Sequence, residues 1–402
     1  PSRDEDDLVT RLTLLVGQAF FLGLILGLVV VAATALLLSY FGPGALPYVY
    51  IAVAVLGSLG FYGVAEAQQR WSLVQVSVVT ELVVVVYLAV TWAGLAFAQL
   101  NWLAFAAMIS FSLILQIGFV IVGGQAGRLL DVRQIKRYFP RIVAGFVIGF
   151  MVAGAIAPPL QRMLGATENL LLAATIGALV MLGLLLATNA LYSDILAQAS
   201  QTGPKVQPPP LRKTLTNRFV LLIFAYQMLS AMASQFLDYM VMASAGARFT
   251  ETDSLTNFLG IYTFALNLTD LLFLVLVAGF LLTRFGLKFG LTLNPGMIVL
   301  LLVAVIVAGI FTGPTSVLFF GLVILTRILD LTFTDGATRT SINAMFQALP
   351  ANQRVTVQTG VEGIGVPLAL GLTGVILLVF DALGNVTMVH IALFTLGISL
   401  LW

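Results

Sequence analysis

The first apolar run, Leu12 to Tyr40, carries no charged residue, and it is longer than the roughly 20 residues that cross a bilayer as a helix. Five further runs follow before the middle of the chain: 46–65, 72–97, 102–122, 142–160 and 170–191. Six more come after it: 219–245, 255–282, 289–311, 316–348, 355–380 and 386–402. Only 9% of the residues are charged and 60% are hydrophobic, whereas a soluble domain carries about 25% charged residues. Such a chain cannot clothe a globular surface in polar groups, so its solvent is lipid. The fold class predicted is an all-α polytopic membrane protein with twelve spans.

The two sets of six runs are separated by a different kind of sequence. Residues 193–217 contain Gln201-Thr202-Gly203-Pro204, the triple proline Pro208–Pro210, and then Arg212 and Lys213. Proline-rich polar sequence of this kind is a semi-rigid linker. The chain therefore divides into a tail (1–10), a first six-helix half (11–192), the linker (193–217) and a second half (218–402). The tail sets Arg3 against Asp4, Glu5, Asp6 and Asp7. That pattern reads as solvated rather than as a signal peptide, which would start basic. The last run is short, as though the chain stopped within or just after its final helix, and a soluble domain beyond Trp402 is compatible with that.

Basic residues orient the chain. Loops after even-numbered runs hold Arg70, the cluster Arg128, Arg133, Lys136, Arg137 and Arg141, then Lys205, Arg212, Lys213 and Arg218, then Arg284 and Lys288, then Arg354. Loops after odd-numbered runs hold Arg162 and Arg248. The positive-inside rule places both termini and the linker on the cytoplasmic side, here of a bacterial inner membrane. The cluster Arg128–Arg141 reads as an orientation signal and an anionic-lipid contact, each base contributing about 1 kcal/mol, rather than as a nucleic-acid site. With no cysteine and only His390, disulfides, thiolate metal sites and histidine metal clusters are excluded. No glycine-rich phosphate loop or catalytic triad is present. No cofactor, metal or enzymatic activity is expected. The expected partners are the bilayer, a small solute, and proteins of a membrane complex.

Six spans, a cytoplasmic linker and six spans is the layout of major facilitator transporters, two six-helix halves related by an axis along the membrane normal. Gly279 to Lys288, with Arg284 and Gly286 between, resembles the Gly-Arg-Gly-Lys loop of that superfamily. Four further stretches add to the likeness: Phe41 to Val55; Gly127 to Pro140; Leu237-Asp238-Tyr239 with Ala247-Arg248-Phe249 and Phe258-Leu259-Gly260; and Leu349-Pro350 with Arg354-Val355 and Glu362-Gly363. Together they resemble the bacterial branch of the ATP/ADP translocase-like proteins. That resemblance implies exchange of nucleotides or another organic anion by alternating access. It also implies that the first, fourth, seventh and tenth helices line a cavity. A nucleoside triphosphate, however, needs several Lys or Arg around it, and here the first helix has none.

Within the runs the ionisable residues are two bases, Arg327 and Arg339, and six acids, Glu81, Asp238, Asp270, Asp330, Asp335 and Glu362. An ionisable side chain at the bilayer centre costs at least about 2.5–3.5 kcal/mol on insertion scales, so each is a functional candidate. Arg327 and Asp330 stand at i and i+3, and Asp335 and Arg339 at i and i+4, so each pair shares a helix face. Together with Glu362, Asp270 and Gln227 they are candidates for substrate contact or gating. Structural ion pairs are the competing reading. Glu362 is open to pairing with Arg339 or Arg354. Glu81, Asp238 and Gln116 are read as helix contacts. Gly336, and the sequence Glu362-Gly363-Ile364-Gly365 before Pro367, mark places where the tenth and eleventh runs loosen. Two functions remain open: a secondary transporter, or a degenerate transporter fold serving as a membrane subunit, scaffold or sensor.

Overall fold

The computed structural model describes residues 3–198, 217–349, 357–358 and 360–402. Most of the linker, together with Pro350 and Arg354, lies outside the described residues. In lipid every backbone polar group must be satisfied within the protein, and among the described residues all regular structure is helical. The helices are α1 (Arg3–Phe41), α2 (Leu46–Arg70), α3 (Leu73–Ala96), α4 (Leu103–Leu129), α5 (Val132–Leu164), α6 (Asn169–Gln198), α7 (Arg218–Arg248), α8 (Thr252–Phe273), α9 (Gly279–Thr312), α10 (Val317–Phe333), α11 (Arg339–Gln347), α12 (Val366–Leu383) and α13 (Met388–Leu401). Helix α1 begins at Arg3, inside the stretch read from sequence as a tail.

Among the described residues, ten stretches are long and apolar enough to cross a bilayer, and one of them, Thr252–Thr312, has 61 residues. At 1.5 Å per residue that is about three times the hydrocarbon thickness. It turns inside α9 at Gly286, whose φ of 78° and ψ of 179° suit only glycine, so the parts before and after Gly286 cross separately. With the shorter apolar helix α13, the crossings follow the twelve apolar runs. Three π-helical turns interrupt the second half: Leu274–Ala278 between α8 and α9, Thr334–Thr338 between α10 and α11, and Val361–Gly365 before α12. Such turns insert a residue into the helical ladder and are frequent at functional sites. The last two contain Gly336, and Gly363 with Gly365.

The chain forms two compact units. The first comprises Pro1–Tyr40, Leu59–Pro204 and Thr250–Asn267. In it α1 and α5 meet on small residues: a Cβ on Gly23 would strike Phe146 O, and one on Gly149 would strike Phe20 O. Close approach over glycine replaces the hydrophobic drive that lipid cannot supply between helices. Trp92 on α3 donates to Asn169 Oδ1 on α6 at 2.9 Å, and Thr167 and Thr256 are 2.8 Å apart through their hydroxyls. The second unit comprises Phe41–Ser58, Lys205–Phe249 and Leu268–Trp402. There α7 packs against α10, α12 and α13, and Gly374 lies close against Pro47 O.

Candidate functional site

The site grows from α10. Arg327 and Asp330 are one turn apart, and Arg327 Nη1 lies 2.8 Å from Asp330 Oδ2. Asp330 is wholly buried. A lone carboxylate there would lose its hydration without replacement, so the helix faces around it supply donors. Ser234 Oγ on α7 donates to Asp330 Oδ2 at 2.7 Å. Asn294 Nδ2 on α9 lies 3.3 Å from Asp330 Oδ1 and 2.8 Å from Thr334 Oγ1. Arg327 Nη1 also donates to Ser234 Oγ at 3.0 Å, and its Nε reaches Asp238 Oδ1 at 3.4 Å. Tyr50, on the segment of α2 that belongs to this unit, donates to Asp238 Oδ2 at 3.5 Å.

The result is one guanidinium between two carboxylates, surrounded by a phenol, a hydroxyl and an amide. Ser234 and Asp238 are at i and i+4, on one face of α7. The side chains of Arg327 and Asp238 keep 14% and 22% of their exposure, so the cluster touches accessible space on one side while Asp330 anchors the other. With both acids ionised it carries one net negative charge. An arginine fork of this kind can exchange one carboxylate partner for a polar ligand without leaving the rest of its shell.

A second group lies one to two turns along. Asp335 sits in the π-turn, its Oδ1 2.9 Å from Arg339 Nη1. That oxygen is off the line a hydrogen bond requires, so the contact is one of charge. Arg339 is 66% exposed at its side chain. Asp270 on α8 is buried, and its Oδ1 has no hydrogen-bond partner. Burial acts on it most strongly, followed by the charges of Asp335 and Arg339. The π-turns Leu274–Ala278 and Thr334–Thr338 touch here: Phe273 stacks edge-on against Phe333 at 5.3 Å, and Gly336 lies close against Phe273.

The remaining candidates fall elsewhere. Glu362 is exposed in its π-turn and accepts from Gln358 Nε2 at 3.1 Å. Of the two cations it was open to pairing with, Arg339 has Asp335 instead and Arg354 lies outside the described residues. Gln227 is half-buried on α7, and Gln116 on α4. Glu81 is 4% exposed on α3, with no hydrogen bond to its Oε1. Asp238, read from sequence as a helix contact, stands inside the arginine cluster. Arg128 also holds a protein partner: its Nη1 donates to Leu196 O at 2.6 Å, near the C-terminal end of α6. Arg133, Arg137 and Arg141 are exposed on α5, while the side chain of Lys136 lies outside the described residues.

Sequence reasoning missed Tyr50, Ser234, Asn294 and Thr334. Asn294 had a signal, as an amide next to Pro295 inside the ninth run. It also missed a network in the first unit. There Arg11 pairs with Asp7, donates to Leu129 O at 2.9 Å and lies 5.1 Å over the ring of Tyr192. The Tyr192 hydroxyl donates in turn to Asp7 at 2.7 Å.

Among the described residues, long apolar helices with a few buried charge clusters between them define an all-α polytopic membrane protein. No protein-family model matches the chain, and no curated protein sequence matches it. Solved structures do. A mutant form of the nucleoside transporter NupG superposes with a TM-score of 0.72 at 17% identity over 97% of each chain. A D-xylose–proton symporter gives 0.68 at 12% identity, covering 98% of this chain and 96% of that one. A POT family transporter in complex with a thioalcohol-conjugated peptide gives 0.65 at 14%, covering 96% and 94%. At such identities the likeness is one of fold. It supports the major facilitator architecture and does not extend to the ATP/ADP translocase-like branch.

Proposed function

We propose that the protein is a secondary transporter that moves a small polar solute by alternating access, with its substrate or gating residues in the second half. The observation that carries this reading is the Asp238–Arg327–Asp330 cluster: three ionisable side chains held inside spans where each is costly. The relatives in fold that transport nucleosides and a sugar are consistent with it. Charge favours a neutral or cationic solute. The described intramembrane bases are Arg327, shared by two carboxylates, and Arg339, paired with one, which is a poor inventory for a nucleotide bearing up to about four negative charges. The distribution of basic residues supports an inner-membrane orientation with cytoplasmic termini, and the sequence division into halves at 11–192 and 218–402 belongs to the same reading.

The test is uptake and counterflow in proteoliposomes with labelled nucleosides, pentoses, amino acids and adenine nucleotides. Movement of a neutral or cationic solute, lost in Arg327→Ala and in Asp238→Asn, supports the reading. ATP/ADP exchange would instead restore the translocase-like branch. A protein that moves and binds none of these solutes would favour the non-transporting scaffold or sensor.

A further inference from the structure

The first turns of α5 carry a feature that transport does not use. Arg133, Arg137 and Arg141 recur every fourth residue and are all exposed. That spacing puts them on one side of the helix, over about 12 Å at 1.5 Å per residue. Tyr138 is held between two of them, its ring 5.3 Å from the guanidinium carbon of Arg137 and 5.1 Å from that of Arg141. The opposite side of this segment is anchored: Ile135 and Phe139 pack against the cluster of Leu15, Leu129, Leu130 and Ile142. The stripe is therefore presented outward by a fixed helix.

Three further observations narrow its partner. The nearest acid, Asp131, is engaged as the cap of α5, accepting from Gln134 N at 2.7 Å while Asp131 N donates to Gln134 Oε1 at 3.0 Å. Arg128 is likewise engaged, on the carbonyl of Leu196. The three arginines thus have no designated protein anion among these neighbours. Along the same face, seven residues beyond Arg141, the side chains turn apolar while staying exposed: Ile148 is 39% exposed, and Ala155 and Pro159 are exposed too. Cations give way to exposed apolar side chains within two turns of one helix, with an aromatic ring held among the cations. That sequence of chemistry matches the headgroup and acyl layers of a phospholipid leaflet.

We infer that Arg133, Arg137 and Arg141, with Tyr138, form a binding site for the phosphate of an anionic phospholipid whose chains lie along the outward face of α5. Guanidinium forks suit the diester oxygens, and Tyr138 fixes two of the forks against folding back. Arg128 is excluded from the site.

Native mass spectrometry of protein extracted from nanodiscs of phosphatidylglycerol and phosphatidylcholine tests it. The wild type retains phosphatidylglycerol preferentially. At about fivefold per base, R133Q/R137Q/R141Q loses about a hundredfold in preference. In the wild type alone, retention falls steeply as salt rises from about 0.05 to 1 M, a readout that stands if the triple variant fails to fold. Equal retention by the folded triple variant, or retention indifferent to salt, overturns the inference. So does inorganic phosphate that displaces the lipid at millimolar concentration, which would mark a site for soluble phosphate.

Discussion

Replacing Arg327 by alanine should be among the most damaging single changes in the second unit, and the structure allows the size to be worked out. The side chain makes a 2.8 Å contact with Asp330, a 3.0 Å bond to Ser234 and a 3.4 Å contact with Asp238. Its loss leaves Asp330 wholly buried with only the neutral donors Ser234 and Asn294. Breaking a buried pair from one side costs about 3–5 kcal/mol, because the surviving charge has no counter-ion. The two remaining donors put this case near the lower end, at about 3 kcal/mol. At about 2–4 °C per kcal/mol for a unit of 150–250 residues, thermal unfolding in detergent, followed by tryptophan fluorescence, should fall by about 6–12 °C. Arg339→Ala removes a pair whose cation is two-thirds exposed and should cost no more than about 1 kcal/mol. Arg327→Gln combined with Asp330→Asn should recover most of the loss, since no uncompensated charge is left at the buried position. An Arg327→Ala melting shift no larger than that of Arg339→Ala would refute the reasoning.

Other changes separate structure from function. Gly149→Val drives two methyl groups and a Cβ into the carbonyl of Phe20, where only backbone stands to yield; it should destabilise the first unit by about 1–3 kcal/mol or more, read as a lower melting temperature. Glu81→Gln removes an ionisable group whose Oε1 has no hydrogen bond; the variant should melt at or above the wild type, and a clear fall would reveal a partner for the carboxylate. Asp270→Asn keeps the shape of a side chain with an unpartnered Oδ1; it should leave the melting temperature within about 2 °C, so any change in transport would report the carboxylate's charge rather than loss of fold.

Much of this protein was legible before its structure. The apolar runs and the intramembrane charges are one-dimensional facts. Arg327 with Asp330, and Asp335 with Arg339, stood at helical spacing on paper, and both pairs form. What stayed hidden lay between helices. Nothing in the residues around Asp238 says that α7 turns it toward Arg327, and Ser234 and Asn294 look like any small polar residues in a helix. Arg128 was indistinguishable from its basic neighbours until the end of α6 was set beside it. Asp7 and Arg11 stand at helical spacing, but Tyr192 is 185 residues from Asp7, so its place in their network cannot be read from any local pattern.

The division has a physical cause. In lipid a run of apolar residues must become a helix, because no other conformation satisfies its backbone within one segment. Composition and run length therefore determined the fold class, the crossings and the inventory of buried charge. Which charge meets which depends on how helices rotate and approach. That is decided by small-residue contacts such as Gly23 and Gly149 against α5 and α1, and by π-turns that re-aim a face as at Thr334–Thr338. Those are contacts across space, and only the tertiary structure brought Asp238, Arg327 and Asp330 into one site.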